Sequence, residues 1–113
     1  MSEHCLFCRI IKREVAAEIV AESDECLAFK DADPQAPVHV LVVPKQHVSS
    51  LNDVTDAATA GALALMAAEV ARAAGIADSG YRTVINTNGN GGQSVFHLHL
   101  HVLGGRKLVW PPG

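Results

Sequence analysis

The sequence predicts an α+β fold, a mainly antiparallel sheet with one long helix laid on one face. Three observations carry this. Short β-rich runs flank a single alanine-rich stretch of helical periodicity. Strands and helices do not alternate as they would in a parallel sheet built from βαβ units. The strongest run, His97 to Leu103, alternates imidazole and aliphatic side chains through His97-Leu98-His99-Leu100-His101-Val102, the period of a strand with two unlike faces.

The chain has 113 residues, enough for one core and not two, so residues 1–113 are expected to form a single domain. Nine basic and twelve acidic residues give a net charge of −3, and no basic patch suggests a nucleic-acid duplex or an anionic membrane as partner. The start, Met1-Ser2-Glu3-His4, lacks the basic and apolar regions of a signal peptide, and no apolar run approaches the ~20 residues of a membrane helix. A cytoplasmic location is therefore expected. Three cysteines, an odd number, do not make a disulfide framework.

In order, Cys5 to Arg13 reads as one or two helical turns, with Leu6, Phe7, Ile10 and Ile11 in helical register. Ile19–Ala21 and Cys26–Phe29 read as short strands joined by a turn at Ser23-Asp24-Glu25. A proline-stiffened loop from Asp31 to Pro37 leads into a β-branched central strand, Val38–Val43, which Pro44 ends. Asn52 to Gly75 is the long helix. Asn52, Asp53 or Thr55 would cap it, Leu63, Met66 and Val70 form its apolar stripe, and Ala62, Ala67, Ala71 and Ala74 allow close approach to the sheet. Gly75 would stop it. Tyr81–Ile85 is another strand. Asn86 to Gly92, with three glycines and three asparagines, is either a long hairpin loop or a cradle of main-chain N–H groups for an anion. Trp110 cannot be buried by a tail alone and is expected to pack on the site or on a second subunit.

The chemistry concentrates in six histidines. Leu98, Leu100 and Val102 would face a core while His97, His99 and His101 line the other face. A lone histidine is well explained by a hydrogen-bonded core position, but three on one face beside a glycine-rich loop suggest nucleophilic, proton-transfer or metal chemistry. His39 and His47 flank the central strand and would join the cluster if the two strands are neighbours. Two mechanisms follow. A histidine-rich zinc site would activate water. Alternatively, one imidazole attacks phosphorus and carries the phosphoryl group covalently. Cys5-x-x-Cys8 with two histidines would complete a closed tetrahedral zinc site, leaving the other histidines free to react.

Gly92-Gln93-Ser94-Val95-Phe96-His97-Leu98-His99-Leu100-His101-Val102-Leu103 resembles the signature of the histidine-triad (HIT) superfamily. Phe29 to His39, Val43-Pro44-Lys45-Gln46-His47 and Trp110-Pro111-Pro112-Gly113 resemble its Hint branch. The resemblance implies a five-stranded antiparallel sheet with a short N-terminal helix and one long helix, two copies joining into a ten-stranded homodimer. It implies a purine-nucleotide hydrolase that releases AMP from adenosine 5′-phosphoramidates and aminoacyl or lysyl adenylates. His99 would be the nucleophile, His101 would hydrogen-bond the phosphate, and His97 and His39 would order the cluster. Ser94 and Gln93 would bind phosphate oxygens and assist the leaving group, with Asn86 and the amide of Gly92 completing the pocket. Asp31 would hold the ribose hydroxyls, and Phe7, Ile10, Phe29 and Leu41 would wall the base. Trp110 would reach across the dimer. Cys5, Cys8, His47 and His97 match the branch's zinc-binding variant, implying a structural zinc that takes no part in the chemistry. The alternatives are a dinucleoside-polyphosphate hydrolase, and a nucleotide-binding interaction protein whose turnover is unimportant.

Overall fold

The computed structural model describes residues 4–113, so the reading of Met1 to Glu3 lies outside it. Helix α1 (Leu6–Ile11) precedes strands β1 (Ile19–Glu22), β2 (Cys26–Lys30) and β3 (Val38–Pro44). Then come α2 (Ala57–Ala73), β4 (Tyr81–Val84), the single turn α3 (Asn88–Gly91) and β5 (Leu100–Gly104). The strands form one sheet in the order β1-β2-β3-β5-β4, with every neighbouring pair antiparallel. This is the expected α+β architecture.

The sheet is covered on both faces, which explains why β2 and β3 read as nearly continuous apolar runs, Cys26–Phe29 and Val40–Val43. On one face Cys26, Ala28, Val40, Val42, Leu98, Leu100 and Val102 pack against Leu63, Met66, Ala67, Val70 and Ala71 of α2. On the other, Leu27, Phe29, Leu41 and Val43 pack against Phe7 and Ile10 of α1. Period-two alternation thus assigns each strand residue to α2 or to α1. The aliphatic residues of the histidine run go to the α2 side, as expected, and the imidazoles to the α1 side. Among the described residues no helix is long and apolar enough to cross a membrane.

Three expected boundaries shift for physical reasons. The long helix begins at Ala57, not Asn52, because Asp56 is the cap: its Oδ1 accepts the Thr59 N–H at 2.6 Å. Ser50 caps a separate 3-10 turn, Leu51–Asp53, and extended backbone at Val54 divides the two. Ala74 lies exposed past the helix end, so it does not help seat α2. The histidine strand is regular only from Leu100. β3 ends at Pro44, and before Leu100 the chain instead makes one main-chain bond, Leu98 N–H to the Val48 carbonyl at 2.7 Å. The segment from Asn86 to Gly92 is not an open loop but contains α3, closed by Gly92 at φ +85°.

Candidate active site and metal centre

Register brings the histidines together. His101 on β5 lies opposite Leu41 on β3, and His39 lies opposite Leu103, so the two imidazoles are diagonal neighbours on the α1 side. Their rings are 5.1 Å apart, and His39 Nε2 is 2.9 Å from His101 Nδ1. His99 stacks edge-on to His101 at 4.9 Å and to Phe7 at 5.1 Å. His97 meets His47 at 4.9 Å and the same Phe7 at 5.9 Å.

Main-chain partners set the tautomer of each imidazole, and with it which nitrogen holds a lone pair. The Gln35 N–H donates to His39 Nδ1 at 3.0 Å, so His39 carries its proton on Nε2. That proton is given to His101 Nδ1, which places the His101 proton on Nε2. His101 Nε2 is buried and has no hydrogen-bond partner. A buried donor without an acceptor costs free energy, on the order of 1–3 kcal/mol, and marks a place where a ligand oxygen belongs. His99 Nδ1–H donates to the carbonyl of His97 at 2.8 Å, leaving Nε2 as an imidazole lone pair beside that donor. Burial favours the neutral form of His101 and His39. It pushes His101 down to about 4, helped by the neighbouring His99 and His39 and opposed by Asp31. Burial lowers His39 as well, against the pull of Asp31 and Asp33.

The second cluster uses His97. Its Nε2–H donates to the Pro44 carbonyl at 2.8 Å, turning the Nδ1 lone pair inward. There it lies 3.3 Å from Cys5 Sγ, 3.5 Å from Cys8 Sγ and 3.2 Å from His47 Nδ1, while Cys8 Sγ is 3.3 Å from His47 Nδ1. One ligand atom from each of the four side chains converges within 4.8 Å. Bond lengths of about 2.0–2.1 Å to nitrogen and about 2.3 Å to sulfur give tetrahedral edges of roughly 3.3–3.8 Å. The donor set and spacings therefore fit a metal ion. The carbonyl that orients His97 is the outer partner a metal-binding imidazole normally has. α1 makes the pair possible: Cys5 is its cap, and its Sγ accepts the Cys8 N–H at 3.4 Å.

The remaining expected residues are placed unevenly. Phe7, Ile10, Phe29 and Leu41 form one buried cluster against His99. Asp31 Oδ2 is 3.4 Å from His39 Nε2, at the edge of the cluster. Ser94 is exposed and Asn86 half-buried. Gln93 and the Gly92 amide, expected to face phosphate, are committed within the chain. Gly92 N–H donates to the Gly89 carbonyl, and the Gln93 amide donates to the carbonyls of Ser49 and Val95 and accepts from Asn88 N–H. They brace the glycine-rich turn under Ser94. Trp110 is 81% exposed and does not pack on this chain's own site. The tautomer-setting groups of Gln35, Pro44 and His97 were missed by sequence reasoning. They are main-chain atoms, and no side-chain pattern announces them.

An antiparallel sheet carrying a histidine cluster beside a Cys2His2 group defines a small α+β protein with a histidine-based site. The chain belongs to the HIT domain family, whose profile matches residues 12–108. It is 54% identical to an uncharacterised HIT-like protein of Synechococcus elongatus, covering 100% of both chains. It superimposes on a HIT family hydrolase of Legionella pneumophila with a TM-score of 0.94 and 46% identity, over 97% of this chain and 100% of that one. A zinc-bound histidine triad family protein of Mycobacterium smegmatis matches at a TM-score of 0.85 and 34% identity, over 97% of this chain and 83% of that one.

Proposed function

We propose that the protein is a purine nucleoside phosphoramidase that transfers the nucleotidyl group to His99 and then to water, releasing AMP. The observation that carries this is the pairing of opposite roles on adjacent imidazoles. The His97 carbonyl holds the Nδ1–H of His99 and exposes its Nε2 lone pair, while His101 presents an unpartnered Nε2–H. One attacks phosphorus and the other receives a phosphate oxygen.

In the first step, His99 Nε2 forms a bond to phosphorus and the P–N bond breaks. The leaving nitrogen takes its electron pair and a proton, for which the Ser94 hydroxyl is the donor nearest in sequence. The nucleotidyl-imidazolium keeps Nδ1–H on the His97 carbonyl, which supports its positive charge. Water then attacks phosphorus, the Nε2–P bond breaks, and the proton lost by water restores the donor. Asp31 suits a ribose diol, a carboxylate accepting from both hydroxyls. Cys5, Cys8, His47 and His97 would hold zinc. With four protein ligands its contribution is a cross-link between α1, the turn after β3 and the approach to β5. The exposed β4 residues Tyr81 and Thr83 and the exposed Trp110 support a homodimer in which β4 pairs with its copy and Trp110 reaches the partner's site.

The test is turnover of adenosine 5′-phosphoramidate by wild type and His99→Ala, with trapping of a labelled nucleotidyl-enzyme. AMP release by wild type alone, with label on His99, is expected. A folded wild type that binds AMP without cleaving the phosphoramidate would overturn the reading, in favour of a dinucleoside-polyphosphate hydrolase or a binding protein.

A further inference from the structure

The hydrogen-bond series that ends on His101 does not begin at His39. Its first member is the main-chain amide of Gln35, in the exposed loop between β2 and β3. A loop amide serves as a tautomer anchor only if its peptide group keeps one orientation. The other end of the Gln35 residue is also held: its carbonyl accepts the Arg106 Nη2–H at 3.1 Å. The second Arg106 contact, Nη1 to the Lys107 carbonyl at 3.3 Å, steadies the guanidinium against its own segment. A separate feature brings the segment after β5 against the same loop. Gly105 has φ +90°, and a Cβ there would lie 2.9 Å from Pro37 Cβ. Only a residue without a side chain allows this approach. Gln35 also ties its loop internally through Nε2 to Asp33.

We infer that Arg106 is a positioning residue for the site, holding the Gln35 carbonyl, one peptide beyond the Gln35 N–H, so that the residue keeps its place, its N–H fixes His39 and, through it, the tautomer that leaves His101 Nε2–H facing the reacting phosphate. The side chain touches neither substrate nor histidine. It acts through Gln35 N–H to His39 Nδ1 and His39 Nε2–H to His101 Nδ1. Arg106 is exposed, so its removal leaves both cores intact. Without it the peptide after Gln35 can turn and the Gln35 N–H shift off His39 Nδ1, leaving only the Asp31 carboxylate, 3.4 Å from Nε2, to favour the Nε2 proton. His101 then divides between two tautomers, only one of which offers Nε2–H. The guanidinium matters for its planar donor geometry and not only for its charge, so lysine is a partial substitute.

The consequence for rate rests on the phosphoramidase reading, but the tautomer does not. Long-range 15N–1H imidazole spectra of the full-length, zinc-loaded protein report the protonated nitrogen of each histidine without substrate. In wild type, His39 and His101 are expected as Nε2–H. In Arg106→Ala their signals move toward mixed tautomers while that of His99 stays. With adenosine 5′-phosphoramidate, kcat falls on the order of tenfold, the size typical of losing an outer hydrogen bond that orients a functional group, with little change in KM. Arg106→Lys recovers part of the loss. Gly105→Ala, which pushes on Pro37, moves the same two signals by a different route, and Lys107→Ala moves neither. An Arg106→Ala imidazole spectrum superposable on wild type would overturn the inference, whatever the rate. Shifted tautomers in a protein whose wild type does not cleave the phosphoramidate would support the positioning role and sink the proposed reaction instead.

Discussion

Replacing His101 by glutamine should flatten the pH dependence of stability, and the direction follows from its burial. The folded chain holds His101 down at about 4, chiefly through burial, while in the unfolded chain it returns to about 6.5. Below about 6.5 the unfolded state binds a proton that the folded state resists. The contribution of neutral His101 is therefore complete above about 6.5 and is lost as pH falls toward 4. The full gap would correspond to about 3 kcal/mol. His101 is only half-buried, and solvent screening reduces this to about 1–2 kcal/mol. The neighbouring His99 and His39 hold His101 down further while Asp31 pulls it up, which broadens the transition. The measurement is urea unfolding of wild type and His101→Gln at several values between pH 7.5 and 4, with total zinc held constant. Acid release of metal acts on both proteins and cancels in the difference. Wild type is expected to lose about 1–2 kcal/mol more than the variant across this window. Parallel profiles would refute the reasoning.

Three further outcomes are expected. Leu63→Ala, at a position 1% exposed between α2 and the sheet, should cost about 2–4 kcal/mol, read as a lower urea midpoint with an unchanged slope. Gly104→Ala would put a methyl group 2.6 Å from Ile76 Cδ1 and 3.4 Å from Tyr81 Cβ, an overpacking of about 1–3 kcal/mol. The double variant with Ile76→Val, which removes that Cδ1, should regain much of the loss, and failure to do so would assign the cost to backbone strain. Chelation at neutral pH should lower the thermal midpoint of wild type and leave the midpoint of Cys5→Ser/Cys8→Ser unmoved; equal responses would exclude the Cys2His2 centre as the site of the metal.

Period and spacing made much of this legible. β2, β3 and α2 were readable because burial imposes a pattern on side chains, and alternation divided His97, His99 and His101 from Leu98, Leu100 and Val102. The expected partnership of Cys5 and Cys8 with His47 and His97 meets a cluster of fitting spacing. Boundaries were legible only where a side chain marks them. Asp56 and Ser50 are both good caps, and the sequence contains several others within a few residues, so the choice falls to tertiary packing. The glycine-rich stretch looked like an anion cradle because glycine frees the main chain. Whether the freed amides face outward or bond to one another depends on dihedral angles, and Gly92 and Gln93 bond inward.

The division of the sheet into two faces explains why His97 carries two duties at once. Its side chain enters the cluster with Cys5, Cys8 and His47, while its carbonyl, on the chain leading to β5, holds the proton of His99. Had the segment stayed in the sheet, that carbonyl would have been available to a neighbouring strand. Because β3–β5 pairing stops at Val42 and Leu100, no strand claims it. The Pro44 carbonyl, likewise left over at the strand end, takes the His97 Nε2–H. Two main-chain acceptors left outside the β3–β5 ladder thus orient two imidazoles in opposite senses, one presenting Nδ1 to the thiols and the other Nε2 to the site. Any change that extends β3–β5 pairing past Leu100 would withdraw both. Proline at position 44, without an N–H to offer the ladder, keeps that extension from forming.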